Sequence, residues 1–203
     1  MISKITLSPP ENSFEAIIFD LDGTLVDSMP LHFKAWCHAL GKQGHPEVFP
    51  EDVFYAMGGR PTRDIVKDIN GDNNLNLDAE EVIYAKKKFL LSHLDEIELI
   101  PEVVAVIEEN RGKVPLAIAT GSSREVAEKI LQELGVSDWF AEVVTSNDVE
   151  NGKPAPDIFL EAAARLEIDP KKCLVYEDGR AGIVAAREAG MEVVVVPTPL
   201  HLD

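Results

Sequence analysis

Two aspartates two residues apart, Asp20 and Asp22, followed by Gly23 and Thr24, have types and spacing that could do chemistry. They close the apolar run Phe14–Phe19, and the glycine after them allows a turn that aims both carboxylates into one cleft. Such a pair can hold a hard cation, attack an electrophile or move a proton. It is not a calcium loop, because Gly23 falls too early in the run and a buried strand precedes Asp20. The segment Asp68, Asn70, Asp72 imitates such a loop better, but Asn73 and Ala79 stand where it needs glycine and glutamate.

Three more segments gain meaning beside that pair. Thr120-Gly121-Ser122 follows a second apolar run and precedes a helical pattern, offering a hydroxyl and amides suited to an anion. Lys153-Pro154 also precedes a helical pattern, and Lys153 can serve as a point-charge ligand for phosphate. Glu177-Asp178-Gly179 closes another apolar run with a second acidic pair. Singly these read as a helix cap, a surface lysine and first-turn acids. Jointly they place Asp20, Asp22, Thr120, Lys153, Glu177 and Asp178 on one edge, because ligands of open α/β sheets bind beyond the carboxyl ends of the strands.

The elements that must position them are five buried strands, at Phe14–Phe19, Val114–Thr120, Ala141–Thr145, Cys173–Tyr176 and Glu192–Val196. Helical patterns at Ser123–Leu134, Asp157–Leu166 and Gly182–Ala189 alternate with the later ones, which predicts an α/β, doubly wound (Rossmann-like) parallel sheet. Nearly a hundred residues separate the first two strands, far more than one crossover needs. Met29–Leu40 and Ala79–Leu94 within that span read as helix, Asn70–Asn74 as a polar loop, and Gly58-Gly59-Arg60-Pro61-Thr62 as a turn. The expected organisation is an α/β core of residues 1–26 and 98–203 with a small α-helical cap domain, residues 27–97, inserted into it.

The motif set resembles the haloacid dehalogenase superfamily. It comprises Asp-Leu-Asp-Gly-Thr after the first strand, Thr120 after the second, Lys153-Pro154, and Glu177-Asp178 followed by Gly182–Gly190. The similarity runs from about Phe14 to Val196 and is greatest to the β-phosphoglucomutase-like branch, which includes bacterial fructose-1-phosphate phosphatases. His32 and Trp36 match that branch's cap entrance.

The resemblance implies a phosphatase in which Asp20 attacks phosphorus and forms an aspartyl-phosphate. It implies a Mg²⁺ ion held by Asp20, the Asp22 backbone carbonyl and Asp178, with Glu177 direct or through water. Asp22 would then protonate the leaving oxygen and later activate water. Thr120, Gly121, Ser122 and Lys153 would bind the phosphoryl oxygens, while His32 and Arg60 are candidates for substrate contact. Halide displacement would waste Asp22 and the second acidic pair, so phosphoryl transfer fits better. A phosphosugar mutase of the β-phosphoglucomutase type is the alternative. Gly58 stands where a lysine is usual in the mutases, and only Arg60 and Arg63 are basic nearby, which favours a hydrolase. A phospho-receiver module shares the acidic cluster, but its aspartate follows the third strand, which here ends in Thr145-Ser146-Asn147-Asp148.

The net charge of −17 excludes the usual footprint of a nucleic-acid binder, and no basic stretch beyond Lys86-Lys87-Lys88 would hold the chain to an anionic membrane. The 72-residue insert as far as Glu98 carries net −5 and the rest −12, so acidity concentrates in the core. An anionic substrate therefore needs the metal as a counter-charge. The N-terminal residues lack a signal-peptide pattern, no apolar run is long enough to span a membrane, and Cys37 and Cys173 read as reduced thiols. A cytoplasmic monomer acting on a small phosphorylated metabolite is expected.

Overall fold

Alternation along Ala16–Phe19 sends Ile17 and Phe19 to one face and Ala16 and Ile18 to the other, and both faces are buried. That is the pattern of a central strand in a parallel sheet. The computed structural model describes residues 7, 14–58 and 60–197, so Gly59 of the expected turn lies outside the described residues. In chain order the strands are β1 (Ala16–Phe19), β2 (Val26–Asp27), β3 (Glu98–Leu99), β4 (Leu116–Ala119), β5 (Glu142–Val144), β6 (Cys173–Glu177) and β7 (Glu192–Val195). The five expected strands form one parallel sheet in the order β5-β4-β1-β6-β7.

The helices are α1 (Met29–Lys42), α2 (Glu51–Ala56), α3 (Thr62–Asn73), α4 (Ala79–Leu91), α5 (Pro101–Asn110), α6 (Arg124–Glu133), α7 (Asp157–Arg165) and α8 (Arg180–Glu188). Val103 and Ile107 of α5 and Val126 and Ile130 of α6 cover the Ile17/Phe19 face. Ala162 and Ala163 of α7 and Ala185 and Ala186 of α8 cover the other face. Their small side chains bring these helices close to the sheet, whereas the first face is filled by Phe19 stacked on Tyr176 at 5.1 Å. Connections from β1 run outward to β4 and β5 on one side and to β6 and β7 on the other. The crevice at that reversal lies over β1.

Helices α1–α4 enclose an apolar cluster of their own, built on Trp36, Leu40, Phe49, Phe54, Ile69 and Val82. The expected polar loop at Asn70–Asn74 is a correction. Ile65, Val66 and Ile69 bury one face of α3 and carry the helix through Asn73, and only Asn74 turns left-handed, at φ 51°. The Asn70 side chain then bonds the Leu77 amide and carbonyl, satisfying polar groups a loop would have left to water. Sequence patterning also passed over α2, α5 and the antiparallel ribbon in which Val26 pairs with Leu99 and Asp27 with Glu98. Two-residue strands carry too few side chains to alternate visibly.

The turn after β5 is stitched down by Asp148. Its carboxylate accepts from Arg124 Nη2 at 2.6 Å, Arg165 Nη2 at 3.0 Å, the Thr145 amide at 2.8 Å and the Thr145 hydroxyl at 2.7 Å. Burial alone would raise its pKa, but the Thr145 hydrogen bonds and the two guanidiniums outweigh burial and hold the carboxyl well below its ordinary range. A depressed carboxyl adds stability above its unfolded pKa and loses it on acidification. Between about pH 6 and about pH 3, the wild-type denaturant midpoint should therefore fall more steeply than that of Asp148→Asn. Parallel curves would contradict the assignment.

Candidate active site

β1 delivers Asp20 into the crevice, its amide bonded to the Tyr176 carbonyl at 3.0 Å, beside the end of β6. Leu21 and Leu25 then fold inward, and Gly23, at φ +90°, turns the chain back so that its amide meets the Val26 carbonyl at 2.8 Å. Glycine is required there twice over. Its positive φ suits no other residue well, and a Cβ would lie 2.5 Å from Asp178 Oδ2. The two acidic loops can approach only because that position has no side chain.

Lys153 sits between them, 2 % exposed, with Nζ 2.5 Å from Asp20 Oδ1 and 2.8 Å from Glu177 Oε1. The Phe159 ring lies 5.0 Å from the ammonium. Burial works against the charged lysine, but Asp20 and Glu177 outweigh it and raise its pKa. Asp20 is pushed up by burial, opposed by Lys153 and helped by Glu177, Asp178 and Asp22. Burial and the Glu177 charge push Asp178 up to about 7, against the Thr24 hydroxyl that donates to Oδ1 at 2.9 Å.

Asp22 has the opposite environment. It accepts from Ser28 Oγ at 2.7 Å and Ser122 Oγ at 2.6 Å, and meets His32 Nε2 at 2.9 Å. Thr120 Oγ1 lies 3.5 Å away. Burial would raise this carboxyl, but His32, Ser122 and Ser28 together hold it well below the usual range. One loop thus presents two carboxylates in different states, Asp20 tied to a cation and Asp22 ringed by hydrogen-bond donors.

The structure brings Asp20, Asp22, Thr120, Lys153, Glu177, Asp178, Ser122 and His32 together, with Gly121 exposed at the margin. Three expectations change. Glu177 was expected as a metal ligand, yet Oε1 accepts from Lys153 and Oε2 from the Gly179 amide at 2.5 Å, so both oxygens are engaged in holding the lysine and the loop. Ser122 was expected to bind phosphate, but its amide points to Thr120 Oγ1 at 3.0 Å and its hydroxyl to Asp22. Arg60 was a candidate substrate contact, and it pairs with Asp68 at 2.7 Å inside the helical insert. Arg63 is likewise engaged, by Glu80.

Sequence reasoning passed over Thr24, Ser28 and Lys86. Ser28 precedes α1 and looks like its cap, yet its side chain makes no capping bond. Lys86 projects from α4 with Nζ 5.6 Å from the Trp36 ring, and has no ion-pair partner among the described residues. Burial lowers its pKa while the nearby Asp22 charge opposes that, which places the ammonium within the field of the site. Its spacing from buried Val82 and Leu90 was the available signal, since of three consecutive lysines only Lys86 shares that inward stripe. Lys87 turns outward and pairs with Glu125 of α6 at 2.8 Å, tying the insert to the core.

No three His, Cys, Asp or Glu side chains gather as a ready metal cage among the described residues. Even so, Asp20 and Asp178 are oxygen donors whose pKa values are driven up by burial and by neighbouring carboxylates, with Lys153 as the one cation between Asp20 and Glu177. A hard divalent ion completed by main-chain, water and substrate oxygens fits that deficit.

The haloacid dehalogenase-like hydrolase family matches residues 14–190. The chain is 39% identical over 184 residues to the fructose-1-phosphate phosphatase YqaB of Escherichia coli (strain K12), covering 90% of this chain and 96% of that protein. It is 32% identical over 182 residues to a phosphorylated carbohydrates phosphatase of Thermotoga maritima, covering 88% and 82%. The crystal structure of a β-phosphoglucomutase from Clostridium difficile superposes with a TM-score of 0.81 at 28% identity, covering 93% of this chain and 87% of that one.

Lys153→Met keeps much of the side-chain volume and removes the charge, leaving Asp20 and Glu177 buried without their cation. Denaturant unfolding in metal-free buffer should show a loss of about 3–5 kcal/mol. A loss below about 1 kcal/mol would mean the clamp is not what holds these loops together.

Proposed function

The chain belongs to the haloacid dehalogenase-like hydrolase family, and we propose that it is a phosphatase using Mg²⁺ to hydrolyse small phosphomonoesters of sugars or polyols. The observation that carries this is the pairing, in one loop, of a Lys153-clamped Asp20 with a hydrogen-bonded Asp22. Asp20, with one oxygen fixed by Lys153, attacks phosphorus through the other, and the phosphorus–oxygen bond to the sugar breaks. The leaving oxygen takes a proton from Asp22. Asp22 then accepts a proton from the water that attacks the aspartyl-phosphate, releasing phosphate and restoring Asp20. The donors around Asp22 hold it ready as the base of the second step. For the first it must gain a proton, and His32 Nε2, 2.9 Å away, is the ionisable group placed to exchange one.

Lys153 (which holds Asp20), the Thr120 hydroxyl and the Gly121 amide would bind the phosphoryl oxygens. Asp20, Asp178 and the Asp22 carbonyl would hold the metal, with Glu177 acting through Lys153. Bound there, Mg²⁺ neutralises charge on the transferring group as a Lewis acid. We take residues 27–97 as the cap over the site, bringing His32 and Lys86 to the leaving-group side. The sugar class draws on the named activities of the two phosphatase relatives. Hydrolysis is favoured over mutase chemistry because the insert turn carries Gly58 where the mutases have a lysine, and its two arginines, Arg60 and Arg63, pair with Asp68 and Glu80. No helix among the described residues is long and apolar enough to cross a membrane.

Turnover of p-nitrophenyl phosphate should require Mg²⁺, stop with a chelator and be abolished in Asp20→Asn. Metal-independent turnover, or an active Asp20→Asn, would overturn the proposal. Lys86→Ala should lower kcat/KM about tenfold for sugar phosphates and much less for p-nitrophenyl phosphate, whose leaving group offers no hydroxyls. Equal losses on both substrates would remove Lys86 from the leaving-group side.

A further inference from the structure

The turn Thr145–Asp148 carries no group assigned to the reaction, yet it grips the segment after β4 at several points. The Ser146 amide and hydroxyl each donate to the Ser122 carbonyl at 3.2 Å. Asn147 Oδ1 accepts from the Arg124 amide at 2.9 Å. Asp148 takes the Arg124 guanidinium at 2.6 Å, and the same guanidinium also reaches the Val143 carbonyl at 3.2 Å. Ser122, held at its carbonyl by this turn and at its amide by Thr120, is the residue whose hydroxyl lies 2.6 Å from Asp22.

We infer that Asp148 is a positioning residue for Asp22, acting through the Thr145–Asp148 turn and the Ser122 hydroxyl. The buried end of this chain is specific. Asp148 is joined to α6 by Arg124 and to α7 by Arg165, so the turn cannot shift without breaking hydrogen bonds to two helices at once. A displacement of the Ser122 carbonyl by a few tenths of an ångström would carry its hydroxyl out of the short contact with Asp22, because hydrogen bonds weaken steeply with distance and angle. The groups facing Asp148 are Thr145, Arg124 and Arg165, with Glu128 and Glu161 pairing the far sides of the two guanidiniums. None of them has a part in the proposed reaction, which separates this role from direct catalysis. The inference rests on Asp22 being the proton-transfer group.

The test is a double-mutant cycle on p-nitrophenyl phosphate with Mg²⁺, using wild type, Ser122→Ala, Asp148→Asn and the double variant. Each single variant should lose about tenfold in kcat while KM stays within about threefold, since the lost contact serves proton transfer rather than binding. In the Ser122→Ala background, Asp148→Asn should have less than about a twofold further effect. Asn147→Ala, at an exposed position, should show the same dependence with a smaller loss and replaces Asp148→Asn if that variant does not fold. Losses that multiply in the double variant, or an Asp148→Asn protein with a lowered melting temperature and unchanged kcat, would overturn the inference. An inactive wild type would overturn the phosphatase proposal along with it, whereas an active wild type with multiplying losses overturns the inference alone.

Discussion

A single buried ammonium holds the crevice together. Lys153 faces Asp20 on one side and Glu177 on the other, in a place where neither carboxylate is more than a few per cent exposed beyond its neighbours. Two charges of one sign this close and this dry are tolerable only with a cation between them. Other features follow from that requirement. β1 and β6 must be adjacent so that their ends present the two carboxylates, and the register pairs Phe19 with Tyr176 immediately before them. Gly182 must lack a side chain, since a Cβ there would lie 1.6 Å from Glu177 Oε1. Gly23 must lack one because Asp178 closes in from the other side.

Burial and the Glu177 charge lift the Asp178 carboxyl well above its usual value, and the Thr24 hydroxyl and Lys153 offset only part of that rise. An anionic substrate entering such a place faces the carboxylates of Asp20, Glu177 and Asp178 with Lys153 as the cation set among them. In the proposed reaction a divalent ion would serve binding as much as chemistry, and the concentration of acid in the core would then not argue against an anionic ligand. The helical insert contributes a different balance. It brings His32 and Ser28 to Asp22 and an unpaired ammonium, Lys86, into the field of the same carboxylate.

Much of this was legible in the sequence because buried parallel strands announce themselves as unbroken apolar runs, and the chemistry stands at their carboxyl ends. All five sheet strands and the expected positions of Asp20, Asp22 and Asp178 follow from that one regularity, whereas Lys153, nine residues past β5, stands out only as a Lys-Pro before a helical pattern. The misses have a common cause: the residue type was right and its partner was invisible. Ser28 has the type of a cap but serves Asp22, and Ser122 has the type of an anion ligand but serves the same carboxylate. Glu177 reads as a metal ligand, direct or through water, and its bonds to Lys153 and the Gly179 amide are not visible in the sequence. Arg60 looked free until Asp68, eight residues on in α3, met it. In Asn70–Asn74 polar composition suggested a loop, while three buried residues on α3 decided for helix.

The central claim is that Asp20, clamped by Lys153, is the nucleophile. The stereochemical course of hydrolysis tests it directly, using an isotopically chiral phosphate monoester and transfer of the phosphoryl group to an acceptor alcohol. Two in-line displacements, first by Asp20 and then by the acceptor, predict overall retention at phosphorus. Inversion would mean one direct displacement by solvent or acceptor, and the role assigned to Asp20 would be wrong.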